Sequence, residues 1–140
     1  MVSHLIDTSI VVKWFHSEGE GELQEARSVY EAHRSGQILG AILDLGLYEL
    51  GNFFSRAPEL SDEAAGVVLE QVLVIFGEPI AIEPGARQQA VSLARRFGLS
   101  FYDASWAAAA HSLNATLVSA DRRLLDAGLA ITATECAAQL

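Results

Sequence analysis

Leu5-Ile6-Asp7-Thr8-Ser9-Ile10-Val11-Val12-Lys13-Trp14-Phe15 is the stretch that decides the fold. The apolar run before it stops abruptly at an acid. From Thr8 onward the apolar residues Ile10, Val11, Trp14 and Phe15 recur at helical spacing instead of alternating. Residues 2–6 therefore read as a short buried strand ending at Asp7-Thr8-Ser9, and residues 8–16 as a helix. A strand running straight into a helix is the first half of a βαβ unit.

The same alternation continues outward. An amphipathic helix over 22–35 is closed by Gly36, and a second strand over 37–43 places Gly40 close to a neighbour. An apolar helix runs from Asp44 or Leu45 to Arg56 and stops before Pro58. Ser61 is an N-cap with Asp62 and Glu63 in the first turn, opening a helix to Phe76 that Gly77 ends. A short strand follows at 80–82, then a helix from Pro84 to Phe97 ended by Gly98. Residues 99–102 lead to Asp103, read as the cap of an Ala-rich helix reaching Leu113. A strand at 115–119, a helix at 121–127 ended by Gly128, and a last strand at 129–131 complete the chain. Strands alternating with helices predict an α/β fold with a parallel sheet covered on both faces. Without repeats, low-complexity tracts or linkers, residues 1–140 are expected to form one domain.

Composition narrows the functional classes. With 9 Lys+Arg against 18 Asp+Glu the net charge is −9, which argues against coating nucleic acid by bulk charge. It leaves open an enzyme that meets nucleic acid through metal ions. At 51% hydrophobic and 19% charged residues, disorder is excluded. The single cysteine, Cys136, cannot form an internal disulfide or a Cys-based zinc site, and a reduced cytoplasmic setting is expected. Asp7 interrupts the first apolar stretch and no basic segment precedes it, so no signal peptide is expected. No apolar run approaches the ~20 residues of a membrane span.

Open α/β sheets carry their sites at the carboxyl ends of strands. Asp7, Asp103 and Asp121 each follow an apolar stretch and each opens a helix. For every one of them helix capping is a competing explanation. Glu49 differs, because it interrupts the otherwise apolar Leu45-Gly46-Leu47-Tyr48-Glu49-Leu50-Gly51-Asn52-Phe53-Phe54. Asn52 and Arg56 fall on its helical stripe. An uncompensated carboxylate on a buried helix costs several kcal/mol. Two explanations stand: a buried Glu49–Arg ion pair, or a Glu49 that faces the other acids around a divalent cation. Gathered carboxylates repel by on the order of 4 kcal/mol per close pair at moderate dielectric. They persist when some are protonated or cations lie among them. Donors that are all oxygen suit Mg²⁺ or Mn²⁺, and a hard cation that takes substrate phosphates is the arrangement of phosphodiester cleavage.

At these residues the sequence resembles the PIN-domain ribonucleases, in particular the VapC-type toxin of VapBC toxin–antitoxin pairs. The opening stretch is similar to that family's first strand, acid and helix. Leu47-Tyr48-Glu49-Leu50-Gly51-Asn52 resembles its glutamate helix, Leu99-Ser100-Phe101-Tyr102-Asp103-Ala104 its third-acid segment, and Leu117-Val118-Ser119-Ala120-Asp121-Arg122-Arg123-Leu124 its final strand and acid. Ser119 stands where the family often has Thr, so a hydroxyl is retained. The resemblance spans the whole chain. It implies a flavodoxin-like α/β/α sandwich with a mainly parallel sheet, and a Mg²⁺- or Mn²⁺-dependent endoribonuclease. It also implies a homodimer, and a VapB-type antitoxin that folds along the toxin and blocks the acidic pocket. Asp7 and Asp103 match the acids holding the principal metal, with Glu49 and Asp121 completing the pocket. Thr8, Asn52 and Ser119 would orient those carboxylates.

The remaining features weigh less. Lys13, the only lysine against eight arginines, reads as snorkelling along its helix ahead of touching phosphate. Arg56, Arg122 and Arg123 either bind RNA backbone or pair with nearby acids. Trp14, Trp106, Tyr48 and Tyr102 are expected in the core ahead of stacking on bases, and His111 is expected to be structural. A receiver-type phosphoacceptor lacks its late lysine, since none follows Lys13. A haloacid-dehalogenase-type phosphatase lacks its second acid, since position 9 is Ser. Gly46 to Gly51 has phosphate-loop spacing but is followed by Asn52 where that loop needs Lys, and G-x-G-x-x-G is absent. The alternative from another class is a PIN-fold binding module with little or no nuclease activity.

Overall fold

The computed structural model describes residues 1–140. Strand β1 (His4–Ile6) lies between β2 (Gly40–Ala41) and β3 (Thr116–Val118), parallel to both, in the order β2-β1-β3. Leu5 stands opposite both Ala41 and Leu117. Leu5, Ile6, Leu117 and Val118 are all buried. Successive strand residues point to opposite faces, so the sheet is covered on both, as expected of parallel strands.

The strands expected at 80–82 and 129–131 reduce to single parallel bridges, Leu43 with Ile80 at one edge and Val118 with Ile131 at the other. Each segment still exchanges backbone hydrogen bonds with its neighbour, such as Ile80 N to Ile42 O at 2.9 Å and Ile131 N to Leu117 O at 2.9 Å. Helices opening at Pro84 and after Thr132 then draw the chain off the sheet.

The helices are α1 (Thr8–Val11), α2 (Leu23–Arg34), α3 (Asp44–Ser55), α4 (Asp62–Phe76), α5 (Pro84–Phe97), α6 (Phe101–Ser112), α7 (Arg122–Asp126) and α8 (Ala133–Ala138). The first expected helix is really α1 continued by a 3₁₀ turn, Val12–Trp14. Ser61 caps α4 through Ala64 N, and Gly77 and Gly98 take the positive φ that ends α4 and α5. Asp103 does not cap α6: Ser100 does, accepting from Asp103 N at 3.0 Å. Helix α8 was not expected. Its signature is nonetheless in the chain as the capping box Thr132-Ala133-Thr134-Glu135, with both reciprocal bonds formed.

Helices pack in pairs, α5 on α6, α2 on α8 and α3 on α4. One glycine sets a distance that matters for the site. A Cβ at Gly46 would lie 2.7 Å from Ile42 Cγ1 and 3.1 Å from Trp106 Cη2, so a bare backbone lets the buried indole lie against α3. No helix is long and apolar enough to cross a membrane.

Candidate active site

Asp7, Glu49, Asp103 and Asp121 reach one cleft of about 860 Å³ from four different elements. Asp7 follows β1, Asp121 follows β3, Glu49 lies in α3 beyond β2, and Asp103 sits in the first turn of α6. The cleft therefore opens at the carboxyl ends of the parallel strands, where such sheets bind ligands. Thr8 and Asn52 line it too. A second cavity, of about 780 Å³ beside α2 and α4, shares Lys13 and His16 but none of these four acids.

Each acid is held differently. Asp7 starts α1 without capping it; its Oδ2 instead accepts from Ser119 Oγ at 2.6 Å and Ser9 Oγ at 2.7 Å. Glu49 Oε1 accepts from Thr8 Oγ1 at 2.9 Å and from Trp106 Nε1 at 2.8 Å. Asp121 caps α7, its Oδ1 accepting from Arg123 N at 2.9 Å and Leu124 N at 3.4 Å, while its own N–H donates to Ser119 Oγ at 3.0 Å. Asp7 Oδ1, Glu49 Oε2 and Asp121 Oδ2 accept no hydrogen bond from the protein. These are the free acceptors of the cleft.

The electrostatics are those of crowded anions. Burial pushes the Asp7 carboxyl up to about 6, against the Ser119 and Ser9 hydrogen bonds, and Glu49 and Asp103 push it the same way. Glu49 is raised chiefly by burial, with Trp106 and Thr8 opposing and Asp103 and Asp121 adding repulsion. Asp103 is raised by burial and then by Asp121, with the Ser100 hydrogen bond and Arg123 opposing. Three carboxylates raised together are a cluster whose charge wants a counterion. No three of them stand close enough as they are to hold one ion. The fit to a hard divalent cation rests on donor chemistry: free carboxylate oxygens and no thiolate, with the one imidazole of the cleft, His16, facing Glu59.

Several expectations change here. Glu49 forms no ion pair with Arg56; a hydroxyl and an indole compensate it instead. Thr8 and Ser119 do hold carboxylates, but Asn52 does not. It is exposed, and its side chain makes no hydrogen bond; its backbone carbonyl accepts from Ser55 Oγ. Lys13 is neither snorkelling nor free: Nζ meets Glu20 Oε1 at 3.1 Å and Gly21 O at 2.6 Å, and its side chain is 6% exposed. Tyr48 and Tyr102 are 71% and 61% exposed rather than in the core, and His111 is exposed. Two contributors escaped the sequence reading. Ser9 carries the weak signal of a hydroxyl two residues past an acid. Trp106 lies three residues after Asp103, and a fully buried indole N–H requires an acceptor.

Fold and cleft together define a parallel α/β domain with an acidic site at its strand ends. Residues 4–129 match the PIN domain family, and the chain belongs to that family. Over 88 residues it is 38% identical to exonuclease VapC9 of Pyrobaculum aerophilum, covering 61% of this chain and 64% of that protein's length. The crystal structure of PAE2754, also from Pyrobaculum aerophilum, superposes with a TM-score of 0.73 at 28% identity, covering 99% of this chain and 88% of that one. A toxin–antitoxin complex from Klebsiella pneumoniae gives a TM-score of 0.69 at 19% identity, covering 94% of this chain and 98% of that one, a likeness of fold alone.

Proposed function

We propose that this PIN domain is a Mg²⁺- or Mn²⁺-dependent endoribonuclease, the VapC-type toxin of a VapBC pair. The observation that carries the reading is the four-acid cleft, with Asp7, Glu49 and Asp103 all raised by shared burial and mutual repulsion. Asp7, Glu49, Asp103 and Asp121 would hold the cation, which when bound supplies an activated water and charge stabilisation for phosphodiester hydrolysis. The protein's own part is placement. Ser9 and Ser119 fix one oxygen of Asp7, and Thr8 and Trp106 fix one oxygen of Glu49. The α7 backbone fixes one oxygen of Asp121. Each carboxylate is thereby oriented while its other oxygen stays available.

Residues 1–140 would act as a single PIN domain in the cytoplasm, as a homodimer, with a VapB-type antitoxin covering the cleft. The VapC name of the Pyrobaculum relative, with the fold shared with the Klebsiella pneumoniae toxin–antitoxin complex, favours the antitoxin, and the family resemblance favours the dimer. A second reading is exonucleolytic, favoured by the name of the Pyrobaculum relative.

Purified protein incubated with linear and circular single-stranded RNA, in Mg²⁺ and then in EDTA, separates these readings. Endonuclease action opens the circle; exonuclease action spares it and shortens the linear RNA. Activity that persists in excess chelator overturns the metal-dependent mechanism. Binding without cleavage on either substrate returns the binding-module alternative.

A further inference from the structure

The cleft poses a problem that its acids alone do not solve, since Glu20 and Glu59 add to its negative wall. Three basic side chains line it, Lys13, His16 and Arg56. Lys13 is bound to Glu20, and His16 Nε2 lies 3.7 Å from Glu59 Oε1. Arg56 has neither an ion pair nor a side-chain hydrogen bond, and it is exposed. It sits at the C-terminal end of α3, on the same stripe as Glu49 and Asn52, so the helix that delivers a carboxylate to the cleft also delivers a cation to its rim. Of the other arginines named from the sequence, Arg123 is near enough to Asp103 to oppose its rise but does not reach the cleft wall. Arg122 is on α7, 3.9 Å from Asp126, and does not line the cleft either.

We propose that Arg56 binds a backbone phosphate of single-stranded RNA at the rim of the cleft, holding the strand while the acids act on a neighbouring linkage. A guanidinium offers five donors in a planar fork that matches a phosphate, and none of them is engaged within the chain. Arg56 is thus a substrate-binding residue, separate from the four acids. The inference rests on the ribonuclease reading above.

The experiment measures binding of a short labelled single-stranded RNA by fluorescence anisotropy over a range of salt, with Ca²⁺ in place of Mg²⁺. Parent, Arg56→Gln, Arg56→Lys and Arg122→Gln are compared, with thermal melts confirming that each is folded. Arg56→Gln should weaken binding about fivefold, or roughly 1 kcal/mol, and flatten the slope of log affinity against log salt by about 0.7, one single-strand phosphate contact. Arg56→Lys should recover the slope, and Arg122→Gln should match the parent. In Mg²⁺, Arg56→Gln should raise KM and leave kcat near the parental value.

A folded Arg56→Gln protein with parental affinity and salt slope overturns the proposal. So does an equal loss in Arg122→Gln, which would mean diffuse charge rather than a contact. If the parent itself neither binds nor cleaves RNA, the ribonuclease reading fails instead, and the two failures are distinguishable.

Discussion

Replacing Asp7 by Asn in the metal-free protein tests the site through stability alone. The folded-state rise of the Asp7 carboxyl from 3.8 to about 6 is worth roughly 3 kcal/mol, at about 1.4 kcal/mol per pH unit. Below the unfolded value both states are protonated and no penalty exists. As pH rises toward 6 the unfolded chain releases its proton first, and above about 6 the folded protein carries the full cost of a buried charge. The chelated parent should therefore lose roughly 3 kcal/mol from this group between about pH 4 and pH 7. Asn keeps an oxygen for Ser9 and Ser119 but carries no charge, while its amide nitrogen, left unpaired, costs about 1 kcal/mol. At neutral pH in EDTA the variant should be the more stable by about 2 kcal/mol, or roughly 6–8 °C in Tm. That advantage should vanish between about pH 4 and 5 and turn into a small deficit at lower pH, where only the cost of the unpaired amide is left. Thermal melts followed by circular dichroism across this range provide the assay. A variant that melts at or below the parent at neutral pH, or a difference that does not change with pH, refutes the reasoning.

Asp103→Asn should leave α6 intact, because Ser100 supplies the cap, and the chelated variant should be at least as stable as the parent; cleavage should fall by orders of magnitude and Mg²⁺ should stabilise it less. Near-parental cleavage with an unchanged Mg²⁺ response would remove Asp103 from the site. Trp106→Phe should cost about 2 kcal/mol in denaturant titration through lost volume and a lost hydrogen bond. It should also weaken Mg²⁺ binding measured by calorimetry, because Glu49 loses one of the two donors that favour its charged form. Parental Mg²⁺ affinity would show that the indole matters only to packing.

Element type was legible wherever local signals agreed. Ser61, Gly77, Pro84 and Gly98 mark helix ends by backbone chemistry that needs no tertiary context, and the structure keeps those ends. The edge strands failed because Ile80 and Ile131 sit where a following helix pulls the chain away, which apolar character alone does not reveal. The four acids were legible because a carboxylate at a strand end or within an apolar helix violates the local pattern. Their partners were harder to find. Ser100 and Asp103 are both good caps three residues apart, and the sequence cannot say which side chain turns back to the helix. The Glu49–Trp106 bond depends on α3 and α6 meeting at Gly46, a contact between residues 57 positions apart. Tyr48 and Tyr102 were misplaced because each neighbours a site acid, and on a helix adjacent residues face different directions.

What the donors do for the acids follows from the balance at Asp7. Burial drives its carboxyl toward the neutral form, and two hydroxyls pull it back, leaving it ionised at neutral pH by a narrow margin. Ser119 is the larger of the two restraints and is itself fully buried, joined to Asp7 Oδ2 at 2.6 Å and to Asp121 N. A hydrogen bond to a charged group contributes about 1.5 kcal/mol or more, which is roughly one pH unit. Ser119→Ala should therefore raise the Asp7 carboxyl by about one unit, so that protons compete with the cation near neutrality. The pH midpoint of Mg²⁺-dependent stabilisation should move upward by a similar amount, while Ser119→Thr, which keeps the hydroxyl, should leave it in place. Removing a small hydroxyl opens little volume, so a general loss of packing would lower Tm at every pH and leave the midpoint where it was. A midpoint unmoved in Ser119→Ala would mean that burial and neighbouring charge alone set the ionisation of Asp7, and that the serine serves only to join β3 to α7.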